Sequence, residues 1–367
     1  MKYSILHVVY SLEIGGLERV VVSLANRLDR EAFQPSVCCI RRSGELAGNL
    51  AEPDRLSVIA HEGRYSADAA WRLYRLARDG RVDLIHSHNL PGLLYGFAAA
   101  KLRRLPLVHT QHGLILREDS ALLNLVERRM SRSVDAYVCV SRQLEEEVRR
   151  RIRVRPDRLS VVYNGVELPE GGGPGRRGDR STVVIGSVGR LAAVKNYDLL
   201  VRAFAKVLAR FPNCRLELVG DGETRGELEG RIGELSLGGR VTLHGAQADV
   251  PRYLDRFDVF VLPSFSEGHS ISLLEAFSRG AVCLASNVGG NGEIIEDGVN
   301  GFLFRSNDLD DLTGALVRII ERLDSPEMDR VRARGKETVR SRFSVDAMLS
   351  SYESLYRRLL AGNGTRR

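Results

Sequence analysis

The residues best suited to chemistry lie in three loops of the second half of the chain. Gly189-Arg190 ends one apolar run, and Lys195 follows five residues later. Two cations in one strand-to-helix loop can clamp a diphosphate leaving group, each charge-assisted hydrogen bond contributing ~1.5–3 kcal/mol. Read blandly, they are two solvated surface cations. Only five of the 54 basic residues are lysines (Lys2, Lys101, Lys195, Lys206, Lys336), and one of them stands here. A compact ammonium reaching a phosphate is a reason to use Lys in an otherwise Arg-rich chain. Glu267 and Glu275 flank Gly268-His269-Ser270-Ile271-Ser272-Leu273-Leu274. This spacing puts Glu267 in a loop, where it can accept hydrogen bonds from hydroxyls, and Glu275 one turn into a helix, where it can take a ribose diol. A carboxylate near a helix start is otherwise a cap or a dipole partner. Gly220-Asp221-Gly222 forms the third loop.

The first half offers Gly15-Gly16 between a strand and a helix, where backbone N–H groups can approach an anion. The loop is not G-x-G-x-x-G, which speaks against a dinucleotide site. His88 and His112 each follow a strand, as do Ser141 and Asn164-Gly165-Val166. A lone His is commonly a hydrogen-bonded structural residue; two in corresponding loops point to a site.

Alternating elements must position these loops. Short β-branched runs at residues 5–9, 82–86, 107–109, 134–140 and 159–163 read as strands. Leu17, Val21, Leu24 and Leu28 recur at helical spacing, and 93–103 also reads as helix. Residues 169–178 hold five Gly, two Pro and no apolar side chain, the composition of a linker. The alternation then restarts with strands at 183–186, 216–219, 241–243, 258–262, 281–285 and 302–304 and a helix at 199–208. Such alternation predicts two doubly wound α/β domains with ligands beyond the carboxyl ends of the strands. The last 40 residues read as helical, broken at Phe343-Ser344, with Ser344 placed to cap a final helix.

Composition narrows the class. With 367 residues and 43% apolar side chains, the chain can build two cores without staples. The net charge of +7 sits in residues 1–165, with 26 basic against 19 acidic residues; residues 166–367 are balanced. The five cysteines (Cys38, Cys39, Cys139, Cys214, Cys283) lie in or beside apolar runs without metal-ligand spacing, and predict buried thiols in a reducing cytosol. The run 149–155 carries no aromatic residue, so nucleic acid is not an expected partner. No stretch is apolar and long enough to span a bilayer.

In order, Gly15-Gly16-Leu17-Glu18-Arg19, Gln111-His112-Gly113, Val140-Ser141, Asn164-Gly165-Val166, Gly189-Arg190 with Lys195, Gly220-Asp221-Gly222, Glu267-Gly268 through Glu275-Ala276, Gly289-Gly290 with Glu293, and Gly298 with Gly301 resemble family-4 retaining glycosyltransferases of the GT-B fold, particularly bacterial polysaccharide and lipopolysaccharide enzymes. The resemblance implies two facing Rossmann-like domains with a cleft between them. Their expected bounds are 1–166 for an acceptor-side domain, 167–181 for a linker and 182–343 for a nucleotide-sugar-binding domain, with a helix 344–362 packing back on the first domain. It implies a catalytic set of His112, Arg190, Lys195 and Glu267. Arg190 and Lys195 would stabilise the diphosphate, and His112 would lie over the donor sugar. Glu267 would hold donor-sugar hydroxyls together with the amides of Gly268, His269 and Ser270. Glu275 would hold the ribose, Gly16 would approach the phosphate or the acceptor, and Gly189 and Gly222 would let the donor approach the backbone. No metal or other cofactor is implied; the donor substrate is a UDP-, GDP- or other nucleotide sugar, and the leaving phosphate helps deprotonate the acceptor hydroxyl. The acceptor is a glycan or a lipid-linked sugar, with the protein in the cytoplasm or at the inner face of the membrane. There Arg103-Arg104, Arg128-Arg129 and the 149–155 run would meet anionic lipid. The family's usual Gly-Phe-Gly is Gly268-His269-Ser270 here, a departure that bears on the donor sugar rather than on the reaction class. The alternatives are a non-catalytic nucleotide-sugar-binding subunit and a GT-B phosphorylase or epimerase.

Overall fold

A computed structural model describes residues 2–61, 66–113, 121–169 and 182–363 of the chain. Two compact units emerge, one from Met1–Asn164 with Val345–Arg367, the other from Gly165–Ser344.

Among the described residues, the first unit holds seven strands: β1 (Tyr3–Ser11), β2 (Phe33–Arg42), β3 (Leu56–Val58), β4 (Leu84–His88), β5 (Leu107–Gln111), β6 (Ala136–Cys139) and β7 (Leu159–Val161). All pair in parallel in the order β3-β2-β1-β4-β5-β6-β7. Helices, including Gly16–Arg27, Ala67–Asp79, Asn89–Arg103 and Arg142–Arg151, connect them. Every residue of β4, β5 and β6 is buried, as expected where helices cover both faces of a parallel sheet. The expected strand at 82–86 starts two residues later. Asp83 instead ties the start of β1 just ahead of β4, its Oδ2 accepting from Ser4 N at 3.0 Å. The strand then runs on through His88.

The second unit repeats the plan with β8 (Val183–Val188), β9 (Cys214–Val219), β10 (Val241–Leu243), β11 (Val259–Leu262), β12 (Val282–Ser286) and β13 (Phe302–Phe304), parallel in the order β10-β9-β8-β11-β12-β13. Its core joins Ile185, Leu216, Val259 and Leu284 of the strands to Leu200, Phe204 and Leu316 of the helices. In both units the chain adds strands to one side of the first strand and then to the other. The reversal falls between β1 and β4 in one and between β8 and β11 in the other.

The glycine-rich residues 170–181 lie outside the described residues. The chain leaves the first unit at Asn164 rather than 166, because Val166 bridges Ser344 and its N–H donates to Phe343 O at 3.0 Å. It returns with the helix Val345–Asn363. That helix buries Tyr352 and Tyr356 completely in the first unit, and Asp29 N donates to Glu353 at 2.8 Å. All five cysteines are free and buried, and burial raises their thiols, Cys214 to about 11 and Cys39 to about 12.

Candidate active site

In open parallel sheets the loops at the point of reversal diverge and leave room for a ligand. In the second unit those loops follow β8 and β11, and they carry Lys195 and Glu267. Beyond β8 the backbone passes Gly189 and a short 3-10 turn, Ala193–Lys195. Asn196 takes the left-handed conformation (φ 52°) before the helix Tyr197–Arg210 begins. Beyond β11, Ser264 and Glu267 precede the helix Ile271–Arg279, which Ser270 caps by accepting from Leu273 N at 3.4 Å.

The two loops meet. Lys195 Nζ lies 2.6 Å from Glu267 Oε1, and the Ser264 hydroxyl donates to the same oxygen at 2.6 Å. Phe265 N donates to Val194 O at 2.8 Å, so backbone also joins the loops. The Lys195 side chain is 21% exposed and that of Glu267 9%, which makes the lysine the more accessible partner. Arg190 is exposed and forms no ion pair with a described residue. The expected diphosphate ligand and sugar ligand are thus one ion pair in the free protein, with Arg190 beside them in sequence.

Glycines set the spacing of these loops. A Cβ on Gly220 (φ 139°) would lie 1.9 Å from Gly189 O, one on Gly222 2.3 Å from Leu191 O, and one on Gly289 (φ 54°) 1.8 Å from Glu267 O. Leu191 N donates to Asp221 O at 2.9 Å and Gly290 N to Gly268 O at 3.0 Å. Gly189 and Gly222 therefore act first as packing surfaces between neighbouring loops. Glu275 is half-buried, one turn into its helix. The His269 ring is buried edge-on against Phe343, centroids 4.9 Å apart, and burial lowers its pKa to about 3. The ring belongs to the packing of the unit.

The first unit assembles something different at its own reversal. His7 on β1 pairs in register with His86 on β4, and His86 and His88 share one face of their strand. His7 Nδ1 lies 3.2 Å from His88 Nε2, and His88 Nδ1 lies 3.0 Å from His112 Nε2. His86 bonds the Tyr356 hydroxyl at 2.6 Å and Thr110 Oγ1 at 2.7 Å. His109 reaches Ser87 at 3.0 Å and Gln111 at 3.3 Å. Desolvation holds all five imidazoles neutral: His7 and His112 fall to about 3, His109 to about 4, and His86 and His88 well below their ordinary value. Nitrogens of His7, His86 and His88 lie within 4.8 Å of one another, a spacing that metal ions use. Both ring nitrogens of His86 and of His88 are already committed, however, so the set fits a hydrogen-bond network better than a metal site.

Gly16 opens its helix and is exposed, behind an N-cap glycine that makes no side-chain cap bond. A Cβ on Gly15 would lie 2.2 Å from Glu18 Oε2, so the chain's own carboxylate already lies at this helix start. Ser141 caps the helix Arg142–Arg151 by accepting from Leu144 N at 3.3 Å, a structural task. Sequence reading overlooked His7, His86, His109, Ser264, Tyr352 and Tyr356. The available signal was polar ring residues inside apolar strand runs, with His86-x-His88 at strand period.

Two family sequence models match, "Glycosyltransferase Family 4" over residues 14–170 and "Glycosyl transferases group 1" over residues 178–338. An Escherichia coli UDP-Gal:alpha-D-GlcNAc-diphosphoundecaprenol alpha-1,3-galactosyltransferase is 29% identical over 343 residues, covering 87% of this chain and 88% of its own. A Bacillus anthracis N-acetyl-alpha-D-glucosaminyl L-malate synthase is 27% identical, covering 80% of this chain and 79% of its own. Among solved structures, Anabaena HepE in complex with UDP and glucose superposes with a TM-score of 0.84 at 22% identity, covering 96% of this chain and 99% of its own.

Proposed function

The chain belongs to the family 4, group 1 glycosyltransferases, and from that premise we propose that it moves a sugar from a nucleotide-diphosphate donor to an acceptor hydroxyl with retention at the anomeric carbon. The Lys195–Glu267 ion pair at the reversal of the second sheet carries this reading. As the glycosidic bond breaks, charge accumulates on the leaving phosphate. Arg190 and the exposed side of Lys195 stabilise it, and a preorganised cation costs little reorganisation at that moment. Glu267, released in part from Lys195, accepts from donor-sugar hydroxyls; Glu275 takes the ribose. The leaving phosphate receives the acceptor proton, so no metal or other cofactor is required.

The acceptor we propose is a lipid-linked glycan of bacterial exopolysaccharide, capsule or lipopolysaccharide synthesis. The E. coli relative's name specifies a diphosphoundecaprenol acceptor, and the first unit carries the excess of arginine. No helix among the described residues is long and apolar enough to cross a membrane, so contact would be peripheral, at the inner face. Part of the charge is already neutralised: Arg149 pairs with Glu145, Arg151 with Glu147 and Arg155 with Asp157. Binding to anionic vesicles should therefore be weak and salt-sensitive, at ~1 kcal/mol per unpaired arginine.

The test is nucleotide release from UDP-, GDP-, dTDP- and CMP-sugars with an undecaprenyl-diphosphate sugar as acceptor, the product's anomeric configuration read by NMR. Release that depends on acceptor, with the donor's configuration kept, is expected. Nucleotide binding without turnover on any acceptor would establish a non-catalytic subunit instead, and an inverted product would remove retention.

A further inference from the structure

Glu267 accepts two bonds on one oxygen. Lys195 Nζ and the Ser264 hydroxyl both lie 2.6 Å from Oε1. No described residue donates to Oε2, and that oxygen is not shut off from solvent. An ionised carboxylate only accepts, so the Ser264 hydroxyl must be the donor in its bond. The two partners of Oε1 differ in freedom. Lys195 has a long side chain that stands partly in solvent, whereas Ser264 is short and fully buried.

The backbone that carries Ser264 is tied on both sides. The Ser286 hydroxyl at the end of β12 donates to Ser264 O at 2.6 Å, and Phe265 N donates to Val194 O at 2.8 Å. Three residues earlier, Val261 O accepts from the Ser187 hydroxyl of β8 at 2.6 Å. Ser187, Ser264 and Ser286 are each 0% exposed, so water does not compete for these bonds. The carboxyl end of β11 is thus pinned from both neighbouring strands, and the hydroxyl that reaches Glu267 has little room to turn elsewhere. A carboxylate oxygen held away from water costs free energy when its last donor leaves. If the ammonium turns toward a diphosphate, Ser264 is the donor that stays on Oε1.

We propose that Ser264 is a positioning residue that holds the Glu267 carboxylate through Oε1 when Lys195 turns to the diphosphate, so that Oε2 stays presented to a hydroxyl of the donor sugar. The sugar contact rests on the glycosyl-transfer reading above; the hold on the carboxylate does not. The two oxygens of Glu267 then divide the work. One is anchored in the interior, and the other is left for the ligand.

A double-mutant cycle on the full chain tests the hold without any substrate, read as hydrogen-exchange protection of the second unit. Ser264→Ala should lower protection roughly fivefold in the wild type and roughly thirtyfold in Lys195→Ala, where it strips Oε1 of its last donor. Ser187→Ala removes a tie of equal length that does not touch Glu267, and its loss should be the same in both backgrounds. Equal losses for Ser264→Ala in the two backgrounds overturn the proposal. Calorimetry with UDP against UDP-galactose and GDP against GDP-mannose tests the sugar contact. Ser264→Ala should weaken the sugar nucleotide about tenfold and leave the free nucleotide within about twofold. Equal weakening of both would make Ser264 a structural residue only, and overturns the proposal. If the wild type binds neither sugar nucleotide more tightly than its nucleotide, the sugar contact falls with the donor reading, and the exchange cycle alone decides whether Ser264 holds the carboxylate.

Discussion

The two units gather polar side chains at the same topological position and fill it with opposite chemistry. Between β1 and β4 stand buried, uncharged imidazoles; between β8 and β11 stands a charged pair with an exposed arginine nearby in sequence. Strand order decides where a site can form, and what covers it decides which groups can occupy it. Tyr352 and Tyr356 of the terminal helix close over the histidines and exclude water, so a charge there would lack solvation. In the second unit the loops pack closely against one another through glycines and leave Lys195 partly in solvent.

Acid should separate the units most strongly. In the unfolded chain each histidine titrates near ~6.5. In the folded first unit, His7 and His112 titrate near 3 and His109 near 4, with His86 and His88 also lowered. Below ~6.5 the unfolded state binds protons that the native state refuses. The stability these groups contribute is therefore complete above ~6.5 and lost as pH falls toward 3–4, at up to ~1.4 kcal/mol per ring per pH unit. In the second unit only His269 shows such a lowering among the described residues. Hydrogen exchange between pH 7 and 5 should show the first unit losing protection well before the second. Simultaneous loss would break the contrast.

Lys195→Ala tests the charged side. It should lower kcat roughly 10²- to 10³-fold, the scale for removing one preorganised donor to developing charge. Hydrogen exchange in the first unit should stay unchanged. Glu275→Ala should weaken donor binding instead. Full transfer activity in both variants would reject the assignment of the second unit as the donor site.

Gly220→Ala attacks the loop geometry. The new Cβ would meet Gly189 O at 1.9 Å from a backbone at φ 139°, and both the clash and the strain push the β8 and β9 loops apart. A loss of ~2–3 kcal/mol confined to the second unit, with weakened donor binding, is expected. Gly113, beside His112, has no described atom within 4 Å of the position a Cβ would take, and Gly113→Ala should stay within ~0.5 kcal/mol of wild type. An equal response at the two glycines would mean that loop packing does not distinguish the sites.

Legibility in the sequence followed the same division. The alternation of strands and helices, the glycine loops and the charged residues Lys195 and Glu267 were readable because each depends on local composition and spacing. That Lys195 and Glu267 pair was not, since 72 residues separate them and only the strand order brings them together. His7 and His86 were hidden for a related reason. Each lies inside an apolar run where a histidine reads as an ordinary interior residue, and their contact is a sheet register. The terminal helix was expected on the first domain, but its tyrosines had no sequence mark tying them to histidines more than 240 residues away.

That long-range tie gives the smallest test. Tyr356→Phe keeps the ring, buried edge-on to Phe33 with centroids 5.9 Å apart, and removes only the hydroxyl 2.6 Å from His86 Nδ1. His86 keeps Thr110 on its other nitrogen and loses one partner in a dry interior, so a loss of ~1–2 kcal/mol is expected. Tyr352→Phe should cost less, about 0.5–1 kcal/mol, because Thr110 retains His86 when the tyrosine hydroxyl at 3.1 Å is gone. Neither change touches the Lys195 and Glu267 loops, so donor binding should hold while the first unit loosens. If Tyr356→Phe were as stable as wild type, the terminal helix would be covering the histidines without bonding them, and the neutrality of that site would rest on exclusion of water alone.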